Sequence, residues 1–285
     1  MVETRRIETA PGMVFDATVG GSDHAPLVLM LHGFGVSRYF WGAQAAALAD
    51  AGFFAVAPNQ RGYAADARPD PADLANYQMD LLIQDALDIA DAVSPGRRFH
   101  LVGHDWGASL AWSIADQHPE RLGSLTILSR PHPLAFAAAL AMPDGEQAQR
   151  SRHHKAFLEP DAVPKILADD VKWLRTRLAA NGVPETAIEA HLSVLGNTPA
   201  MEAALAWYRA RGVHHAPVGP TKLPTLYIWG DADDTVGRAA AEGTGAFIAA
   251  PYQFVVIPGG GHYTAEQAPD QVSALLLAHL ARHPI

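Results

Sequence analysis

Cysteine is absent from all 285 residues, so the chain can build no disulfide framework, offers no thiolate nucleophile and supplies no cysteine ligand to a metal. Nothing in it depends on an oxidising compartment, and a cytoplasmic location is the expectation. Basic residues are in the minority: 21 Lys and Arg against 30 Asp and Glu leave a formal net charge of -9, which argues against nucleic acid as a partner because no phosphate-neutralising patch is present. Long apolar runs are missing too. The segment Leu134 to Met142 is among the longest and is too short to span a bilayer, while Met-Val-Glu-Thr-Arg-Arg at the start leads into no apolar stretch. A membrane is therefore not expected as a partner. No internal repeat, low-complexity tract, phosphate loop or metal-ligand cluster stands out, so neither a metal nor an organic cofactor is implied. A small-molecule substrate is expected, and a homodimer is compatible with the sequence.

What is present is apolar mass in a regular order. At 49% hydrophobic, the chain is long enough for one large domain carrying an insertion. Strand-like runs at Met13 to Val19, Leu27 to Leu31, Phe53 to Ala57, Phe99 to Val102, Leu122 to Leu128, Leu226 to Trp229 and Phe254 to Ile257 are mostly apolar throughout, as strands buried on both faces should be. Between them lie helical patterns at Gln44 to Asp50, Leu74 to Val93, Ala108 to Gln117, Arg238 to Ala249 and Ala265 to Leu280. The alternation predicts an α/β fold, a mostly parallel sheet flanked by helices. It fails from about Pro131 to Pro220, where only helical stretches such as Val163 to Leu178 and Met201 to Ala210 appear. The chain therefore divides into a core over residues 1–130 and 221–285 and a helical cap inserted over 131–220.

The segment Phe99-His-Leu-Val-Gly-His-Asp-Trp-Gly-Ala runs from an apolar strand through Gly103 and Gly107 into a helix. This is the nucleophile-elbow form Gly-x-Ser-x-Gly with Asp105 in place of the serine. The turn projects residue 105 above the sheet at a helix N-terminus, which favours a carboxylate. Asp is also a common helix cap, and the placement after a buried strand is what favours the chemical role. With a reference pKa near ~4, a carboxylate is ionised at neutral pH and attacks without a base. Its natural target is a saturated carbon bearing a leaving group. The product is an alkyl ester of Asp105, and a water must then be activated to cleave it.

That step calls for a histidine. Of 14 histidines, His24, His118, His132, His214, His215, His279 and His283 stand in no motif, whereas His262 follows a strand and a glycine loop in Val255-Val-Ile-Pro-Gly-Gly-Gly-His-Tyr. A neutral imidazole there can take a proton from water. Its orienting carboxylate is expected in Tyr227-Ile-Trp-Gly-Asp-Ala-Asp-Asp-Thr-Val, with Asp233 preferred and Asp231 read as a loop cap; Leu128-Ser-Arg-Pro, after the preceding strand, holds no acid. In a fold with such an elbow, Leu31-His-Gly-Phe-Gly is expected to be the loop that gives one oxyanion N–H, from Phe34, with Trp106 giving the other.

On these residues the sequence resembles the α/β-hydrolase superfamily over essentially its whole length, and within it the epoxide hydrolases with an aspartate nucleophile. The resemblance rests on His32-Gly33-Phe34, Gly103-His104-Asp105-Trp106-Gly107, the loop holding Asp233, Gly261-His262 and, in the cap, Ala206-Trp207-Tyr208-Arg209. It implies hydrolysis of an epoxide to a diol. It departs in two places. Proline usually stands where this chain has Gly35, and one of the two usual cap tyrosines is replaced by His153, with His154 as the alternative registration, so His153 and Tyr208 are expected to serve the epoxide oxygen together. An apolar aromatic pocket is expected, walled by Phe34, Trp41, Trp106 and Trp207.

Haloalkane dehalogenation is the nearest rival, since the resemblance covers its elbow and triad as well. Phe34 offers no side-chain donor to a halide, although Trp106, Trp173 and Trp207 do, and the stretch after Asp105 lacks the arginines that would bind a haloacetate. A receptor without turnover would need no aspartate, acid and base together.

Overall fold

The computed structural model describes residues 2–211 and 217–285; residues 212–216, which include His214, His215 and part of the 131–220 stretch, lie outside the described residues. Eight strands form one sheet in the order β1-β2-β4-β3-β5-β6-β7-β8. They are β1 Val2–Ala10, β2 Met13–Gly20, β3 Leu27–Leu31, β4 Phe54–Pro58, β5 Phe99–His104, β6 Leu122–Leu128, β7 Thr225–Gly230 and β8 Tyr252–Ile257. The first two run antiparallel to their neighbours and the rest are parallel. Every residue of β3 to β7 is buried, which is why these strands read as unbroken apolar runs. Helices α1 Gly42–Asp50, α2 Met79–Val93, α3 Trp106–Gln117, α10 Arg238–Gly243, α11 Thr264–Gln267 and α12 Pro269–Arg282 connect or follow the strands. This is the α/β architecture that the resemblance implied.

Between β6 and β7 the chain leaves the sheet for a helical insertion: α4 Pro133–Leu140, α5 Glu146–Arg150, α6 His153–Ala156, α7 Ala162–Ala180, α8 Glu185–Leu195 and α9 Thr198–Arg209. Several elements differ from the sequence reading for identifiable reasons. The strand β1 was not expected because only Ile7 in it is buried, so it carries no apolar alternation. The pattern from Ala265 is cut at Ala268, whose non-helical backbone precedes Pro269. The helix expected from Leu74 starts at Met79, after a 3-10 turn and the extended Gln78. Inside α7, Asp169, Asp170 and Val171 adopt positive φ, which breaks the helix into two pieces that a helical periodicity runs through unmarked.

Among the described residues no helix is long and apolar enough to cross a membrane.

Candidate active site

Asp105 ends β5 at the head of α3 with φ 50° and ψ -113°. Such a backbone costs a non-glycine residue about 1–3 kcal/mol and persists only where its surroundings enforce it. They do so here by close approach. A Cβ on Gly107 would collide with the Leu31 carbonyl, one on Gly103 with the α3 backbone, and one on Gly33 with the Asp105 side chain. The motif glycines are therefore the space into which the elbow folds.

The Phe34 N–H donates to Asp105 Oδ1 at 3.0 Å, and His262 Nε2 stands 3.8 Å from Oδ2. Burial works to raise the Asp105 pKa, but His262, the Phe34 N–H and Arg130 together pull it below the usual carboxylate range. Its carboxylate is ionised without help from a base.

On the other side of the imidazole, His262 Nδ1 lies 3.2 Å from both oxygens of Asp233. Two hydroxyls absent from the sequence reading complete this contact. Ser129 Oγ donates to Asp233 Oδ2 at 2.6 Å and stands 2.9 Å from Nδ1; Thr235 Oγ1 donates to Oδ1 at 2.6 Å and stands 2.6 Å from Nδ1. Since both hydroxyls spend their protons on the carboxylate, Nδ1 carries the donor proton and Nε2 faces Asp105 as the acceptor. Asp233 is fully buried, which would raise its pKa, yet His262 and these donors hold it far below the ordinary value. Burial tends to lower the His262 pKa, and Asp233 and Asp105 outweigh it, so the net shift is upward. The His262 N–H is tied to Asn181 Oδ1 at the end of α7, at 2.8 Å, a contact that no sequence motif announced.

A cavity of about 10 Å³ lies at Asp105, Phe34, Thr235 and His262 and is closed by His153, Phe157, Trp173, Arg177, Tyr208 and Tyr263. That is room for about one water. Tyr208 is buried there with its ring 5.0 Å from that of Trp106 and 5.4 Å from that of Phe34. Burial, then the charge of Asp105, raise its pKa well above 10.0, so it keeps its proton to donate. Arg177 is an addition from α7: burial would lower its pKa, but Tyr263 and Asp234 hold it above the ordinary value, and it is paired with Asp234 at 3.0 Å.

Four expectations are corrected. Trp41 is fully buried against Phe40 in the core and does not line the cavity at Asp105. Trp207 turns its indole N–H to the Arg61 carbonyl at 3.1 Å and packs against Trp106, and neither indole lines the cavity at Asp105. His153 does line the cavity, but burial pushes its pKa down to about 4, and its Nδ1 lies 3.0 Å from the Arg150 carbonyl. A carbonyl only accepts, so Nδ1 holds the proton and Nε2 points on as an acceptor; the neutral ring is not the second donor that was expected. The neighbouring His154 packs its ring 5.6 Å from that of Tyr208 and is pushed down to about 3 by burial.

Known proteins match the chain in sequence and fold. A profile of the alpha/beta hydrolase fold covers residues 26–269. Epoxide hydrolase 3 of Xenopus tropicalis is 29% identical over 279 residues, 93% of this chain and 74% of its own length. Epoxide hydrolase A of Mycobacterium tuberculosis is 29% identical over 321 residues, 97% of each chain. Among solved structures, one from a study of novel epoxide hydrolases in metagenomes of hot environments superposes with a TM-score of 0.85 at 28% identity, over 99% of this chain and 100% of that one. Epoxide hydrolase A of Mycobacterium thermoresistibile gives 0.82 at 23% identity over 100% of each, a likeness of fold alone. The chain belongs to the α/β-hydrolase-fold family and is similar along nearly its whole length to epoxide hydrolases.

Proposed function

We propose that the protein hydrolyses an epoxide to a vicinal diol through a covalent ester on Asp105. The observation that carries this reading is a carboxylate at the elbow, ionised and held by the Phe34 N–H, with the acceptor nitrogen of His262 3.8 Å away. Asp105 attacks a ring carbon, the C–O bond of the epoxide breaks, and the oxygen takes the proton of Tyr208. Water then adds to the Asp105 carboxyl carbon as His262 Nε2 accepts its proton. The bond from that carbon to the alkoxy oxygen breaks, the diol leaves with the proton from His262, and the remaining proton of the added water returns to the Tyr208 oxygen. Asp233, with Ser129 and Thr235, stabilises the imidazolium that forms. The Phe34 N–H, and the Trp106 N–H at the start of α3, serve the oxyanion of this second step.

The two steps are coupled through charge. Asp105 is one of the groups that raise the His262 pKa, and esterification removes its charge. The imidazole is thereby made easier to keep neutral at the moment it must act as base.

Haloalkane dehalogenation remains the second reading, favoured by Trp173 in the cavity wall, where an indole N–H could meet a halide. One experiment separates them. A His262→Gln variant, mixed with aryl and alkyl epoxides or with haloalkanes, is expected to stop at an adduct on Asp105 visible by intact-protein mass spectrometry, and the wild-type enzyme is expected to yield diol. Halide release without diol formation would reverse the order of the two readings, and an unmodified Asp105 despite proven binding would remove the covalent route.

A further inference from the structure

A second buried histidine, on α8, sits in a hydrogen-bond setting that the chemistry above does not use. The Ser37 backbone N–H donates to His191 Nδ1 at 3.1 Å, Ser37 Oγ stands 3.0 Å from the same nitrogen, and His191 Nε2 lies 2.9 Å from Glu266 Oε1. A backbone N–H can only donate, so Nδ1 holds no proton; Nε2 holds it and donates to the carboxylate. The ring is held in one tautomer, with both nitrogens engaged.

Its partners come from different parts of the fold. Ser37 closes the loop 33–37, whose Phe34 N–H meets Asp105, while Glu266 lies in α11, directly after the His262 segment. His191 belongs to the inserted helices. The loop has little stiffness of its own, because Gly33 and Gly35 stand in it and Gly35 takes a φ of 84°. The Ser37 hydroxyl makes no hydrogen bond to the 3-10 turn that follows it, which leaves it for His191.

We propose that His191 is a positioning residue for the hydrolytic half of the reaction, clamping the loop 33–37 between the inserted helices and the segment that carries His262. This rests on the reading of Asp105 as the site of an ester. In the first step negative charge leaves the Asp105 carboxylate, so an N–H on Oδ1 does not favour the transition state. In the second step, water oxygen bonds to the carboxyl carbon, its proton passes to His262 Nε2, and full charge gathers on the oxygen that the Phe34 N–H faces; the C–O bond to the alkyl group then breaks and the departing alkoxide takes the proton back. A loosened loop slows the second step and spares the first.

His191→Gln keeps a donor for Glu266 and loses the acceptor for Ser37. With an epoxide turned over by the wild-type enzyme, rapid-quench mass spectrometry should show the Asp105 ester accumulating in this variant, with hydrolysis slowed about tenfold, short of the ~10²–10³ lost when an oxyanion donor is deleted, and alkylation within about twofold. His191→Asn returns an acceptor near the place of Nδ1 and should recover part of the lost hydrolysis. Without substrate, amide exchange across residues 33–37 should quicken about tenfold in His191→Gln. If that variant does not fold, Glu266→Gln should shift the balance of the two steps in the same direction. Equal slowing of both steps, or unchanged balance and unchanged exchange, would overturn the proposal. A wild-type enzyme that forms no ester with any epoxide would overturn the underlying reading as well, and is told apart because no variant is needed to see it.

Discussion

His262 Nε2 stops 3.8 Å short of the Asp105 carboxylate, too far for a hydrogen bond and close enough for one water to be shared between them. The two groups titrate in opposite directions from their ordinary values, His262 upward and Asp105 downward.

Between those two values the nucleophile is ionised while the base is protonated. As pH falls through the His262 value, hydrolysis should fail first and alkylation should persist until Asp105 itself takes a proton. Rapid-quench mass spectrometry should find the ester accumulating at about pH 5 and scarce at about pH 8, since an ordinary imidazole titrates near ~6.5 and the ester no longer carries the Asp105 charge that helps to raise His262. An ester fraction that is flat across this range would count against His262 as the base.

Tyr208→Phe removes one hydroxyl and keeps the ring packed between Trp106 and Phe34. Neutral His153 presents an acceptor, so among the expected pair Tyr208 alone is the donor, with Trp173 and Arg177 as the other N–H groups of the inserted helices in the cavity wall. The variant should lose about 10²–10³ in alkylation rate with little change in KM, measured by presteady-state kinetics on a protein whose melting is unchanged. An unchanged rate would remove Tyr208 from the mechanism and strengthen dehalogenation.

Thr235→Val deletes a buried hydroxyl that donates to Asp233. Hydrogen bonds to charged groups contribute about 1.5–3 kcal/mol, and denaturant unfolding should show a loss on that scale. Hydrolysis should slow with it while alkylation holds, because only the second step uses the imidazole; equal effects on both steps would argue that the hydroxyl serves packing alone.

Gly35 has a φ of 84°, where proline, fixed near about -65°, cannot follow. An added Cβ would also lie 3.0 Å from Leu174 Cδ1 and 3.1 Å from the Tyr263 hydroxyl. Gly35→Ala should therefore destabilise by about 1–2 kcal/mol, and Gly35→Pro by more, in denaturant unfolding. Stability unchanged by Gly35→Pro would mean that the loop takes another shape in solution.

The buried strands and the elbow were legible because close packing leaves a trace in the residues themselves: β3 to β7 are apolar on both faces, and Gly103 and Gly107 stand where a side chain would strike backbone. Asp233 and His262 were legible by position after a strand. Ser129, Thr235, Asn181 and His191 were not, since each meets a partner far off in sequence and a lone Ser, Thr, Asn or His carries no periodic signature. Side-chain direction was equally hidden. Trp41 and Trp207 look like pocket walls by composition, and only packing reveals that one fills the core and the other packs against Trp106.

β6 and β7 are neighbours in the sheet, and both end within reach of the same imidazole nitrogen, through Ser129 at 2.9 Å and through Asp233 at 3.2 Å. Ser129 already takes a left-handed φ of 64°, which aspartate tolerates better than most side chains. With Ser129→Asp and Asp233→Asn together, the orienting charge would therefore move one strand along the sheet while the histidine stays where it is.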